Sequence, residues 1–181
     1  MLMTSTSRTA TVTDGFRDAM AGLASGVCVV TTAVGGEPAG LTTTAVMSVS
    51  LDPPLLAVGV GRSSRTLPTL REARAFVVHV LQHDRESTAA TFASKAADKF
   101  AGLDVRTGRH GIPVLADDAR YALECDTWHE VEAGDHVLLL GRVAEVHRGL
   151  PDHTDGGRAL VHFDRAFHRV GPLAVEPGQT A

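Results

Sequence analysis

The feature that most limits how this chain can fold is the brevity of the connections between its β-branched segments. Val27-Cys28-Val29-Val30-Thr31-Thr32 runs into Gly35-Gly36, and a second strand candidate follows over Ala39 to Ser50. Two residues suffice for a hairpin but not for the crossover that a parallel pair needs. Asp52-Pro53-Pro54 ends that run. Leu55 to Gly61 reads as a third strand and Phe76 to Leu81 as a fourth. Further on, Arg120 to Asp126 alternates in part, and a turn at Ala133-Gly134-Asp135 precedes a long strand from His136 to Val146. Leu160 to Phe163 and Phe167 to Val170 are short closing strands. Helices punctuate this series. Thr13 or Asp14 caps one that runs to about Ala24, with Phe16, Met20 and Leu23 as its buried face. A short one covers Thr66 to Arg71, and Asp84 caps a third through about Ser94. The pattern predicts a mainly β protein, a barrel with flanking helices, and not a doubly wound sheet.

Composition narrows the function. The 181 residues, 44% of them hydrophobic, suit one domain with a real core. A formal net charge of -4 gives no general attraction to nucleic acid or an anionic membrane surface. With 4% aromatic residues the core is built from Val, Leu and Ala. Cys28 and Cys125 each sit in an apolar run outside any CxxC pair, which predicts buried free thiols in a reducing, cytoplasmic setting. No apolar stretch reaches the ~18 residues of a membrane span. Residues 1–13, rich in Ser and Thr and without an apolar core, predict a flexible leader. Residues 172–181, with Pro177 and Gly178, predict a flexible tail, so the domain covers 14–171.

Three segments carry candidate chemistry. Gly40 to Pro54 is dense in hydroxyls for a core strand. Alternation puts Thr42, Thr44, Ser48 and Ser50 on one face, with Leu41, Thr43, Ala45, Met47 and Val49 on the other. Such hydroxyls need partners, supplied either by neighbouring strands or by a polar ligand. Gly61-Arg62-Ser63-Ser64-Arg65-Thr66 combines hydroxyls, guanidinium groups and a helix start, a set suited to a phosphate or to an ordinary capped helix. Gly134-Asp135-His136 is either a tight turn with an exposed imidazole or an imidazole presented at a barrel rim. Gly59-Val60-Gly61 is no dinucleotide fingerprint, because Ser64 holds the third glycine's place. Despite nine histidines, no metal-ligand spacing occurs, and no Gly-x-Ser-x-Gly elbow is present.

Taken together, the segments resemble the flavin reductase-like family, and within it the reductase components of two-component, flavin-diffusible monooxygenases. The resemblance runs in order through Phe16-Arg17, Gly26 to Thr32, Gly40 to Pro54, Phe76 to Leu81, Phe92-Ala93, Pro113 to Leu115, Gly134-Asp135-His136, Leu160 to Phe163 and Phe167-His168. It implies a six-stranded FMN-binding split β-barrel, commonly a homodimer, with FMN or FAD near the subunit interface. It implies that Thr42, Thr43, Thr44, Ala45, Val46, Ser48, Val49 and Ser50 line the flavin ring and ribityl chain. Ser63, Ser64, Arg65 and Thr66 would hold the phosphate, and His79 and Phe92 are carried over as further cofactor contacts. His136 matches a histidine associated with nicotinamide binding. The implied activity is hydride transfer from NADH or NADPH to flavin, with reduced flavin passed to a separate monooxygenase. The alternative is a non-catalytic barrel that binds flavin or haem.

Overall fold

The computed structural model describes residues 5–149 and 158–172, and residues 5–10 by their backbone alone. Its elements in chain order are α1 (Ser5–Ala21), β1 (Ser25–Gly26), β2 (Cys28–Val34), β3 (Glu37–Thr43), β4 (Val46–Leu51), β5 (Pro54–Gly61), α2 (Leu67–Ala73), β6 (Ala75–Leu81) and α3 (Glu86–Ala93). There follow β7 (Arg106–Thr107), β8 (Pro113–Val114), β9 (Ala119–Ala133), β10 (His136–Arg148), β11 (Ala159–Phe163) and β12 (Ala166–Val170). The main sheet runs β3-β2-β6-β9-β10-β5-β4, antiparallel throughout. Smaller sheets, β1-β11-β12 and β7-β8, lie beside it. The hairpin turn at Gly35-Gly36 holds both residues at positive φ, 60° and 87°, which suits the right-handed twist of the strands it joins.

The sheet has seven strands, not six, because the run expected as one strand over Ala39 to Ser50 is two. β3 pairs with β2 and β4 with β5, at opposite edges of the same sheet. A corner at Thr44-Ala45 separates them and brings the edges together. Thr43 Oγ1 donates to the Gly59 carbonyl at 3.3 Å, and the Gly59 N–H donates to the Ala45 carbonyl at 2.7 Å. The sheet thus curls into a split barrel whose seam is bridged at this corner. Its interior is filled by side chains such as Val30, Val58, Val60, Phe76, Val78, Val137 and Leu139. At about 1.5–3 kcal/mol for each fully buried side chain, against ~1 kcal/mol for a hydrogen bond, this interior outweighs the seam. Two further clusters cover the outside. One, with Val29, Phe92, Leu115 and Leu160, sits under α3 and β11. The other, with Val77, Ile112 and Ala122, sits under the segment leading to β8.

Two helices differ from expectation. α1 begins at Ser5, so residues 5–13, expected as a flexible leader, include a helical stretch. Its apolar stripe has the expected spacing but is not a buried face: Phe16, Met20 and Leu23 are 64%, 46% and 55% exposed. The helix is tied to the β11–β12 turn, where the Asp164 N–H donates to the Ala21 carbonyl and Arg165 pairs with Asp18, and nothing in the described chain covers the stripe. α3 begins at Glu86 with Arg85 at its cap position and no side-chain cap. Asp84 stands one residue too early to serve there. The expected tail, residues 173–181, lies outside the described residues.

His79, carried over as a cofactor contact, belongs to this framework. It is fully buried, with Nδ1 3.1 Å from the Val29 carbonyl and Nε2 3.0 Å from the Leu115 N–H. The Leu115 N–H can only donate, so Nε2 accepts and Nδ1 carries the proton. Both ring nitrogens are thereby spent on pinning β6 to β2 and to the segment after β8. Burial pushes the imidazole down from 6.5 to about 4; the Val29 bond opposes this, and nearby His147 adds a little to it. The unfolded chain therefore binds a proton here that the native one refuses. The stability that neutral His79 contributes is complete above pH 6.5 and is lost as pH falls through that value to about 4. The loss is of the order of 3 kcal/mol. A urea titration series across this window should show His79→Gln with a flatter pH dependence than the parent protein. Equal slopes would remove His79 as the source.

Candidate functional site

β5 positions the site. Gly59 and Gly61, two residues apart, present the same face of the strand, roughly 7 Å from each other. Neither carries a side chain, so the chain can pack directly on the strand at both points. A Cβ at Gly59 would lie 2.8 Å from the Ala45 Cβ, and this closeness is what lets the Thr44-Ala45 corner sit down on β5. Gly61 pairs with His136 in register, and a Cβ there would meet His136 Nε2 at 3.7 Å. Leu138, paired with Gly59, stands on the same face of β10 as His136. The residues around the corner enclose a largely apolar cavity of about 430 Å³, lined by Thr44, Ala45, Val46, Met47, Leu138 and others. That volume is in the range of small-molecule sites.

At the rim, His136 Nδ1 lies 2.8 Å from Asp135 Oδ1. A carboxylate only accepts, so Nδ1 donates and the Nε2 lone pair is left facing the Gly61 side. The same contact holds the Asp135 carboxyl below the usual range. The Arg62 N–H donates to the Asp135 carbonyl at 2.9 Å, which ties the Gly134 turn to the start of the Gly61–Thr66 segment. Two segments singled out separately in the sequence are thus neighbours.

Within that segment the groups divide. Ser64 Oγ accepts from the Thr66 N–H at 3.3 Å, and Thr66 Oγ1 donates to the Gly40 carbonyl at 3.1 Å. These two shape the turn, whereas Ser63 and Arg65 are exposed. Arg65 and Thr66 line a second cavity, about 480 Å³, together with Gly40, Asp98 and Lys99. Lys99 Nζ donates to the carbonyls of Gly40 (3.1 Å) and Phe92 (2.7 Å). Burial, and secondarily the charge of Arg65, hold its pKa below the ordinary lysine value. Lys99 was missed from the sequence, where it sits in an aperiodic loop after α3. Its only signal there is positive charge.

The hydroxyl row does not survive as one face. The corner at Thr44-Ala45 and a register shift between Ser48 and Ser50 break the alternation. Thr42 donates to the Ala89 carbonyl at 2.6 Å and Thr43 to Gly59, so strand and helix neighbours satisfy both. Thr44, Ala45, Ser48 and Val49 are exposed, and Val46 and Ser50 half-buried. Phe92, like His79, lies away from the cavity at the corner: it is 1% exposed and packs edge-on against Phe100 in the cluster under α3. Conversely, Met20, Leu23, Ser25 and His162 line the corner cavity, a placement that no local sequence signal announces.

An open β framework with a flat glycine-lined shelf, an apolar cavity and a rim imidazole defines a small-ligand barrel. The chain belongs to the flavin reductase-like family, whose "Flavin reductase like domain" matches residues 20–171. The NADH:riboflavin 5'-phosphate oxidoreductase of Streptomyces pristinaespiralis is 40% identical over 87% of this chain and 88% of its own length. The actinorhodin polyketide dimerase of Streptomyces coelicolor is 42% identical over 83% and 82%. A probable flavin reductase of Rhizobium meliloti is 43% identical over 70% of this chain, which spans 41% of that longer protein. Among solved structures, the NADH:FAD oxidoreductase of Streptomyces globisporus in complex with NAD and FAD fragments superimposes with a TM-score of 0.81. It is 31% identical, over 97% of this chain and 99% of that one.

Gly59→Ala tests the shelf. The added methyl must push the Ala45 corner away, so flavin affinity should fall about tenfold, ~1.4 kcal/mol, with far-ultraviolet circular dichroism unchanged. Undiminished affinity in a flavin fluorescence titration would show that the corner is not part of the binding surface.

Proposed function

We propose that this chain is an NADH-dependent flavin reductase that takes FMN or FAD at the corner cavity and supplies reduced flavin to a separate monooxygenase. The observation that carries the reading is the placement of His136 on Gly61 and of the Ala45 corner on Gly59, along one strand. Relatives named for NADH-dependent flavin reduction support it. So does the reductase component of the Thermus thermophilus 4-hydroxyphenylacetate 3-monooxygenase, 35% identical over 87% of this chain and 96% of its own.

The residues present fit a flavin. The walls formed by Ala45, Val46, Met47 and Leu138 suit an aromatic ring system. Burial, and then the charge of Arg65, hold the Lys99 pKa down, and an anion such as a flavin phosphate would relieve that conflict. When bound, flavin supplies the redox chemistry by accepting at N5 the hydride that leaves nicotinamide C4. His136, with its Nδ1 proton fixed by Asp135, offers the Nε2 lone pair to the carboxamide N–H of the nicotinamide and orients it. It needs no proton transfer to do so. Cys28 and Cys125 are free and buried, each thiol pushed up to about 12 by burial, which fits a reducing, cytoplasmic setting.

The test is anaerobic mixing of the protein with FMN or FAD and NADH or NADPH, followed in the visible flavin band. Rapid bleaching with NADH supports the reading and identifies the flavin. Binding without bleaching would favour a non-catalytic flavin protein. His136→Ala should raise the KM for NADH about tenfold while flavin affinity changes less than about twofold. Unaltered single-turnover kinetics would remove His136 from the site.

A homodimer is part of the same proposal. Beside the uncovered α1 stripe, edge strand β4 exposes Met47, Val49 and Leu51 by 61%, 45% and 93%. A contiguous exposed apolar surface of this kind is the signature of an interface. Phe16→Glu should shift the protein from dimer to monomer in sedimentation velocity. A parent protein that already sediments as a monomer would refute the dimer.

A further inference from the structure

The far end of β10 carries a group of residues that the proposed reductase site does not use. A cavity of about 510 Å³ opens there, beside the β7–β8 segment. Into it project Glu124 from β9 and Glu145 and His147 from β10. The register explains the convergence. Val143 pairs with Cys125, but the next pair is Glu145 with Glu124, so β10 carries a bulge at this point. A bulge re-aims the residues that follow it. Glu145 and His147, two apart, then share the face on which Glu124 lies.

The result is two carboxylates directly opposite each other across a strand pair, an arrangement that is destabilising unless a positive charge lies between them. His147 Nε2 is 2.6 Å from Glu124 Oε1 and 3.8 Å from Glu145 Oε1, and one donor atom from each residue falls within 4.8 Å of the others. The Glu124 carboxylate is buried and held from behind. Its Oε2 accepts the Arg109 N–H at 2.6 Å, and Gly108 packs so tightly on it that a Cβ there would sit 2.7 Å from Oε1. Arg109 is occupied by Asp126 and Arg106 lies near Asp117, so among the described residues Arg148 is the remaining guanidinium at the cavity wall.

We propose that Glu124, Glu145 and His147 form a binding site for a divalent transition-metal cation of the zinc class. One imidazole and two carboxylates are a familiar ligand set for such ions, with the remaining coordination positions open to the cavity. Metal–ligand bonds of about 2.0–2.1 Å place tetrahedral donors roughly 3.4 Å apart, between the two distances observed here. Binding puts the metal in the place of the proton on His147 Nε2, and the neutral ring then carries its single proton on Nδ1. The Arg109 N–H keeps Glu124 aimed, as outer contacts do for metal-bound carboxylates. The inference is independent of the flavin reading.

The test uses the full chain, freed of metal with a chelator and dialysed against graded zinc chloride, with bound zinc counted by elemental analysis. Saturable binding of a single Zn²⁺ per chain is expected. Glu145→Gln and His147→Gln should each weaken it at least about tenfold. Cobalt should give a visible ligand-field band that His147→Gln abolishes. Glu145 is half exposed, so its variant decides the matter if His147→Gln does not fold. No saturable zinc binding, or an affinity unchanged within twofold in the Glu145 variant, overturns the site and assigns any residual binding to other surface histidines.

Discussion

The contact on which the rest of this structure depends is the one between Gly59 and Ala45. Its 2.7 Å backbone bond carries the β4–β5 pairing up to the corner, at a place where no side chain could fit, and the Thr43 bond to the Gly59 carbonyl fastens the end of β3 to the same residue. With it, the strand that shapes the barrel also lays a bare shelf beneath the cavity. The seam itself is weak. It holds because the interior side chains of β2, β5, β6, β9 and β10 would lose far more on opening than the seam gains on closing.

How much of this could be read from residues alone depends on the range over which each signal acts. The hairpin at Gly35-Gly36, the turn before His136 and the antiparallel succession were all legible, because two-residue connections leave the backbone few options. The Gly61–Thr66 segment and Gly134-Asp135-His136 were both picked out as chemistry-bearing. That they adjoin was not visible, since it follows from the pairing of His136 with Gly61 across β5 and β10. The hydroxyl-rich run was found but misread as one strand: periodicity cannot show a corner created by a contact with another part of the chain.

The misplacements have a similar cause. Phe16, Met20 and Leu23 have the spacing of a buried face, yet spacing says only that a face wants cover, not that this chain provides it. His79 and Phe92 came from resemblance; in the structure His79 bonds two backbone groups and Phe92 packs in the cluster under α3. A buried histidine with two backbone partners and a phenylalanine in a cluster of Val, Leu and Ala look, in sequence, no different from ligand contacts. Lys99 and the Glu124–His147 group went unnoticed because their meaning lies in distances between residues remote along the chain.

The shelf on β5 has a mechanical consequence. Barrels of this kind breathe by changes in twist and shear between strands, and groups carried on different strands drift relative to one another as they do. Here the corner and the rim imidazole both rest on the same stretch of backbone, two residues apart. That stretch acts as a rigid ruler. The imidazole belongs to β10 and the corner to the β3–β4 connection, but the two points on which they rest, Gly61 and Gly59, keep a fixed separation within one strand.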